Sequence, residues 1–264
     1  MTGVFEGQSA LITGGGSGIG LACAKAFARE GAHVTLFGRS ADKLVAAARQ
    51  IEAAGGAAAA VAGDTGVEAD IARAVEQAVG AGRLTVTVAN AGTGTVGPVT
   101  AMSLEQWNAV LATNLTGTFL TFKHAGAAMA QSGGGALCAI SSIAGVRTHR
   151  LMGAYCVSKA GIDMLVRNSA DELGAANVRV NSVLPGLVDT ELAAGLFAVP
   201  AIVEDYLDCM PIRRTGTVDD IAAAVRFLCG PEAGWITGAN LSVDGGHHLR
   251  RGPNIDVFGQ SGGA

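Results

Sequence analysis

The sequence is short of several things at once, and each shortage removes a class of molecule. Charged residues fill only 15% of its 264 positions, too few for a solvated, disordered chain. Net charge is −4 and no basic stripe is present, so neither nucleic acid nor an anionic membrane surface is expected as a partner. No uninterrupted apolar run reaches the ~18 residues a membrane-spanning helix needs. The five cysteines (Cys23, Cys138, Cys156, Cys209 and Cys229) are odd in number, far apart and free of any CxxC pair. They read as reduced, mostly buried thiols in a cytoplasmic protein. The opening "MTGVFEGQSA" lacks a basic stretch followed by an apolar one, so no secretory signal is expected. Tyrosine occurs only twice, at Tyr155 and Tyr206.

Glycine is plentiful, at 39 residues against 6 prolines, and apolar residues make up 49%. The glycines punctuate apolar segments instead of gathering into a linker, as tight turns and close backbone approaches require. "SALIT" reads as a buried strand and "GIGLACAKAFAREG" as a helix closed by Gly31. Further strands are read at "HVTLFG", "AAAAVAGD", "RLTVTVANAG", "GALCAISS", "VRVNSVLPG" and "GANLSVDGG". Helices are expected after Ser40 as N-cap, from about Val67, near 103–113 and 114–131, over "GAYCVSKAGIDMLVRNSADELG" and over "VDDIAAAVRFLCG". This alternation predicts an α/β fold: a single doubly wound, Rossmann-type domain over residues 1–249, with a parallel sheet of about seven strands and helices on both faces. The tail 250–264 is Gly-rich and aperiodic, and is expected to be mobile or to reach a neighbouring subunit.

"LITGGGSGIGLA" lies between the first strand and the first helix. Glycines there let the backbone approach a phosphate at a helix N-terminus. The spacing is T-G-x-x-x-G-x-G, through Thr13, Gly14, Gly18 and Gly20, and not the commoner G-x-G-x-x-G. The second strand ends "LFGRS", without the carboxylate that holds a ribose diol in NAD-type folds. Arg39 stands there instead, and a guanidinium would bind a 2′-phosphate, which favours NADP(H) over NAD(H). Its alternative role is a solvated side chain beside a helix cap. Asp64, in "AGDTG", is placed to accept from an adenine amino group or to serve as a turn residue. Asn90, at the end of the fourth strand, faces the ligand crevice and can also bond a neighbouring loop.

Tyr155 and Lys159 are four apart, so one helix face presents both. A free phenol titrates near ~10, and a nearby cation is expected to lower that value and make it a usable proton donor and acceptor. Ser141 and Ser142 end the fifth strand, and Ser142 lies thirteen residues before Tyr155. A hydroxyl there can bond a substrate oxygen and place it near the phenol.

With these motifs in order, the chain resembles the classical short-chain dehydrogenases/reductases over roughly residues 5–246. The resemblance rests on "TGGGSGIG", "GD" at 63–64, "NAG" at 90–92, "ATNLTG", "SS" before "YCVSK", and "NSVLPGLVDT". It implies Tyr155 as general acid/base, Lys159 as the residue that tunes it and binds the nicotinamide ribose, Ser142 as the catalytic serine, and Asn114 as the holder of a relay water. It also implies cofactor contacts from Gly14, Ser17, Gly18, Ile19, Gly20, Asp64, Thr65, Asn90, Ala91, Gly92, Tyr155, Lys159, Pro185, Gly186, Val188 and Thr190, and supports Arg39 as an NADP determinant. Ala89, before "NAG", and Thr65 depart from the usual residues without removing a catalytic group. By the same resemblance a homotetramer (or homodimer) is expected, packed through "VDDIAAAVRFLCG" and the last strand.

The expected activity interconverts a carbonyl and a secondary alcohol with NADP(H) or NAD(H), acting on a small molecule. No metal is required, and His247 and His248 read as a strand-end surface pair. The segment 191–215, apolar through Leu196, Phe197, Ile202, Tyr206, Leu207 and Met210, is expected to cover the substrate. A non-catalytic NADP-binding regulator and a dehydratase or isomerase on this fold are alternatives that the set Ser142, Tyr155, Lys159 and Asn114 disfavours.

Overall fold

The computed structural model describes residues 3–250. β1 (Gln8–Thr13) shows why the apolar runs are unbroken: Ala10 and Ile12 enter one layer of core while Leu11 enters the other. A strand covered on both faces has no solvent side to leave polar. The other strands are β2 (His33–Gly38), β3 (Ala57–Ala62), β4 (Arg83–Ala89), β5 (Gly135–Ile140), β6 (Val178–Pro185) and β7 (Asn240–Val243). All pair in parallel, in the order β3-β2-β1-β4-β5-β6-β7. One core layer is closed by α1 (Gly18–Arg29), α2 (Ala41–Ala53) and α9 (Val218–Cys229). The other is closed by α3 (Glu68–Gly80), α5 (Gly117–Gln131) and α6 (Gly153–Leu173). The expected doubly wound architecture is what the chain adopts. Strand order reverses between β1 and β4, so the loops leaving them part and open a crevice at the carboxyl ends of the strands.

Glycine and charge set several boundaries. Gly31, at φ +92°, takes the left-handed turn that stops α1, a conformation costly for residues with a Cβ. Arg226 of α9 grips Glu30, just past the end of α1, through two bonds of 2.8 Å, and also reaches Glu232 at 2.6 Å. The expected Ser40 N-cap is in position, but its side chain makes no capping bond. β3 stops two residues short of the strand expected to reach Asp64. There the Asp64 N–H bonds Asp70 Oδ2 at 2.9 Å, and the Asp64 carboxylate accepts from the Gly66 N–H at 2.8 Å, which turns the chain.

The two helices expected near 103–113 and 114–131 are one rod with an irregular joint. α4 (Leu104–Leu111) runs into a π-turn over Ala112–Thr116 and then into α5. At the joint the Gly117 N–H bonds the Ala112 carbonyl, five residues back, and the Thr118 hydroxyl donates to the Asn114 carbonyl at 2.7 Å. Such wide turns inside helices often mark functional positions.

Segment 191–215 is broken into a 3₁₀ turn (Glu191–Ala193), α7 (Ala194–Phe197) and α8 (Pro200–Cys209), with Pro200 in the first turn of α8. Its apolar side packs as expected: Ile202, Tyr206 and Met210 join Leu187, with Leu196, Phe197 and Leu207 against them. The surface reading of the histidine pair is corrected. His247 is buried, its ring edge-on to Tyr206 at 5.4 Å, and only His248 stays half-exposed, its Nδ1 at 3.0 Å from Asp244. The inward turn follows from Gly245 and Gly246, both at positive φ, which fold the chain back after β7. Among the described residues no cluster of three or more His, Cys, Asp or Glu is arranged to hold a metal ion, and no helix is long and apolar enough to cross a membrane. All five cysteines are free, and all but Cys156 are buried. The tail expectation for 251–264 lies outside the described residues.

Candidate active site

The crevice holds a cavity of about 810 Å³. One end is walled by the glycine turn after β1. Gly14 and Gly18 take φ of +65° and +52°. Gly20, in the first turn of α1, packs so closely that a Cβ on it would lie 2.3 Å from the Gly14 carbonyl oxygen. Only glycine permits that approach. The Asn90 amide nitrogen donates to the carbonyls of Thr13 (3.0 Å) and Gly14 (3.2 Å), the loop-bonding role the sequence allowed. Thr13 adds a tie the sequence reading did not see: its hydroxyl oxygen accepts from the N–H groups of Asn90 (2.9 Å) and Ala91 (3.1 Å). The loops leaving β1 and β4 are thereby locked side by side.

Gly14, Ser17, Gly18, Ile19, Arg39, Asn90, Ala91, Gly92, Pro185, Gly186, Val188 and Thr190 all line this cavity, as do Ser142, Tyr155 and Lys159. Thr65 lines an adjoining hollow of about 240 Å³, which Arg39 shares with Lys43. Gly20 stands behind the turn. Asp64 lines neither space, since its carboxylate is engaged in the turn at Gly66. Asn114 is fully buried and also lies behind the wall. Lys43 reaches across to Glu191 at 2.6 Å, a link between α2 and the cover that the sequence did not signal.

At the other end, β5 delivers two serines and α6 delivers the tyrosine and lysine. The backbone N–H of Ala144 donates to Ser142 Oγ at 3.1 Å, which leaves the hydroxyl proton free on the cavity wall that Ser142 shares with Tyr155. Lys159 Nζ lies 5.5 Å from the centre of the Tyr155 ring and donates to the Ile140 carbonyl at 2.7 Å. Ser141 is not in the same role: its hydroxyl donates to the Lys159 carbonyl at 3.2 Å and fixes α6 against β5. Asn114 Oδ1 accepts from the Thr93 N–H at 2.8 Å, and its amide nitrogen donates to the Thr93 carbonyl and to Ser158 Oγ, each at 2.9 Å. Ser158 in turn donates to the Tyr155 carbonyl at 2.7 Å. The π-turn, the loop after β4 and the tyrosine-bearing helix are thus held by one side chain.

The electrostatics correct one expectation. Burial pushes the Tyr155 phenol above its ordinary value, with the Ser142 hydroxyl pulling the other way, so the lysine does not bring it down in this state. Lys159 is itself only 3% exposed. Burial pulls its ammonium down to about 8, with the Asp163 carboxylate opposing that pull. At about 8 the ammonium still carries its charge at neutral pH but sits close enough to titration to exchange its proton. Asp163, one turn further along α6, is raised by burial and helped back by Ser141 and Ser182.

The family model described as Enoyl-(Acyl carrier protein) reductase matches residues 14–248. The chain is a classical short-chain dehydrogenase/reductase. Among relatives of this short-chain enzyme, a galactitol 2-dehydrogenase (L-tagatose-forming) from Cereibacter sphaeroides is 37% identical over 245 residues, covering 92% of this chain and 96% of that one. The structure of a short-chain type dehydrogenase/reductase from Mycobacterium ulcerans superimposes with a TM-score of 0.94 at 40% identity, covering 98% of this chain and 96% of that one. A 7α-hydroxysteroid dehydrogenase complexed with NADH and 7-oxo glycochenodeoxycholic acid gives a TM-score of 0.88 at 34% identity, covering 92% and 94%. This short-chain enzyme is therefore an oxidoreductase that interconverts alcohols and carbonyls of small molecules with NAD(H) or NADP(H). Its glycine cradle, closed to any Cβ at Gly20, fits a dinucleotide at the strand ends.

Proposed function

We propose an NADP(H)-favouring carbonyl reductase or alcohol dehydrogenase in which Tyr155 moves the proton. The observation that carries this reading is that Ser142, Tyr155 and the buried Lys159, whose Nζ is 5.5 Å from the centre of the phenol ring, line one cavity together. A bound nicotinamide supplies or takes the hydride at the substrate carbon. Ser142 orients the carbonyl oxygen toward the phenol, and Tyr155 gives that oxygen its proton or takes it from the alcohol. Lys159, near its own titration point, passes protons and bonds the ribose hydroxyls. Asn114 acts by holding Thr93 and Ser158 in place. Its amide is occupied by protein partners, so the role of holding a relay water falls to its main-chain carbonyl, already bonded by Thr118.

Support for NADP(H) comes from Arg39. Its guanidinium lines both hollows and makes no hydrogen bond or ion pair among the described residues, and Lys43 stands beside it. An unengaged cation suits a 2′-phosphate. The Tyr155→Phe variant tests the mechanism. Turnover should fall about 10²–10⁴-fold while NADPH still binds, and unchanged turnover would refute it. Fluorescence titration with NADPH and NADH tests the cofactor, and tighter NADH binding would remove Arg39 from the phosphate role.

A cytoplasmic homotetramer, built on residues 1–249 as one catalytic unit, completes the reading. Two exposed apolar groups support it: Phe119, Val157 and Met164 on α5 and α6, and Phe227, Trp235 and Leu241 on and between α9 and β7.

A further inference from the structure

The substrate end of the cavity carries a polar pair that the proton transfer does not use. His149 lines the cavity with Tyr155 and Tyr206 and is only 6% exposed. Its Nδ1 faces the Arg147 carbonyl at 3.2 Å, a partner that can only accept, so Nδ1 carries the ring proton. Burial holds the imidazole below its ordinary value, which keeps it neutral near pH 7. Nε2 is then a lone-pair acceptor, with no hydrogen-bond partner among the described residues. The Tyr206 ring stands 6.1 Å away, brought in by α8. Around the pair the wall is apolar, through Met152, Leu187 and Leu196. A buried acceptor in an apolar wall rewards a donor and penalises a ligand that lacks one.

We propose that His149, with Tyr206, forms a subsite for a second hydroxyl, so the preferred substrates are hydroxyketones and the matching diols. The substrate hydroxyl donates to His149 Nε2 while the reacting oxygen sits at Ser142 and Tyr155. This rests on the oxidoreductase reading of the site and deepens it by naming the substrate class. His149 acts as a specificity residue in direct contact with substrate.

The test compares reduction of 2-hydroxycyclohexanone and cyclohexanone, with NADPH and with NADH, by the wild type, His149→Phe and His149→Gln. The readout is the ratio of kcat/KM for the two ketones. The wild type should favour the hydroxyketone by about tenfold, the worth of one buried hydrogen bond. His149→Phe removes the acceptor and should bring the ratio close to one, with the change in KM and not kcat, as for an interaction made equally in ground and transition states. His149→Gln keeps an acceptor and should keep part of the preference, and it serves if the Phe variant does not fold. A wild type that does not discriminate, or a Phe or Gln variant in which removal or change of the ring leaves the ratio at the wild-type value, overturns the subsite alone. If the wild type reduces neither ketone with either cofactor, the oxidoreductase reading of this cavity fails, and the subsite falls with it.

Discussion

Replacing Gly20 by alanine tests the cradle through its least forgiving contact. An added Cβ would lie 2.3 Å from the Gly14 carbonyl oxygen and 2.5 Å from Asn90 Nδ2. Neither neighbour is free to yield, because the Asn90 amide already bonds the carbonyls of Gly14 and Thr13. Non-bonded atoms settle near ~3.5 Å, so α1 must back away from the turn by about 1 Å. Overpacking costs about 1–3 kcal/mol, and a clash with fixed backbone belongs at the upper end. For a chain of this size that lowers Tm by roughly 6–12 °C. The same retreat pulls the turn N–H groups off an anion, and losing one charge-assisted bond weakens NADPH binding about tenfold. Gly80→Ala is the control. Gly80 closes α3 with nothing within 4 Å of an added Cβ, so alanine there should gain up to ~1 kcal/mol. Thermal unfolding and a fluorescence titration with NADPH read both effects. A Gly20→Ala protein that melts no lower than Gly80→Ala and binds NADPH as the wild type does would refute the packing argument.

Four further outcomes follow from the site and its supports. Lys159 titrates near 8 when folded against 10.5 ordinarily, so between those values the unfolded chain holds more protons and stability rises with pH. Urea unfolding across that window should show this slope in the wild type and its loss in Lys159→Met; equal slopes would contradict the burial argument. Asp163→Asn removes the charge that props the lysine up. The Lys159 titration should then move below 8, read as an acid shift in the kcat–pH profile. Arg226→Ala leaves Glu30 and Glu232 unbonded at a partly buried contact and should cost about 1–3 kcal/mol in urea unfolding. Met164→Asp puts a charge in the exposed α6 patch; if that patch joins subunits, light scattering should report a smaller assembly than for the wild type.

Legibility in the sequence followed the range of the interactions. Strands buried on both faces showed themselves as apolar runs, and β2 was read to the residue because His33–Gly38 is bracketed by a helix stop and a helix start. Tyr155, Lys159 and Ser142 were legible because their spacing lies within one helix and one preceding strand end. Thr13 and Thr93 were not, since each works by bonding a loop that is distant in sequence, and nothing local marks that duty. Asp64 was different: the sequence offered two roles, and the local bond from the Gly66 N–H gives its carboxylate to the turn. The direction of the Tyr155 shift was also out of reach. Charge can be read from spacing, but the depth of burial that outweighs it depends on how α6 settles on β5. His149 carried no motif at all and emerged only once α8 brought Tyr206 beside it.

The wide turn at Ala112–Thr116 also makes the chain intolerant of a change in length. A π-turn is a helix that has absorbed one extra residue. Deleting any single residue there would let the rod relax into regular α-helix and rotate one half against the other by about 100°. Asn114 would swing out of reach of Thr93 and Ser158, while α5 turned its core-facing side chains off the sheet. Substitutions along the exposed face of α4 should be absorbed readily, but the residue count between Leu104 and Gln131 is fixed by two partners that must be met at once, the sheet beneath α5 and the loop beside Asn114.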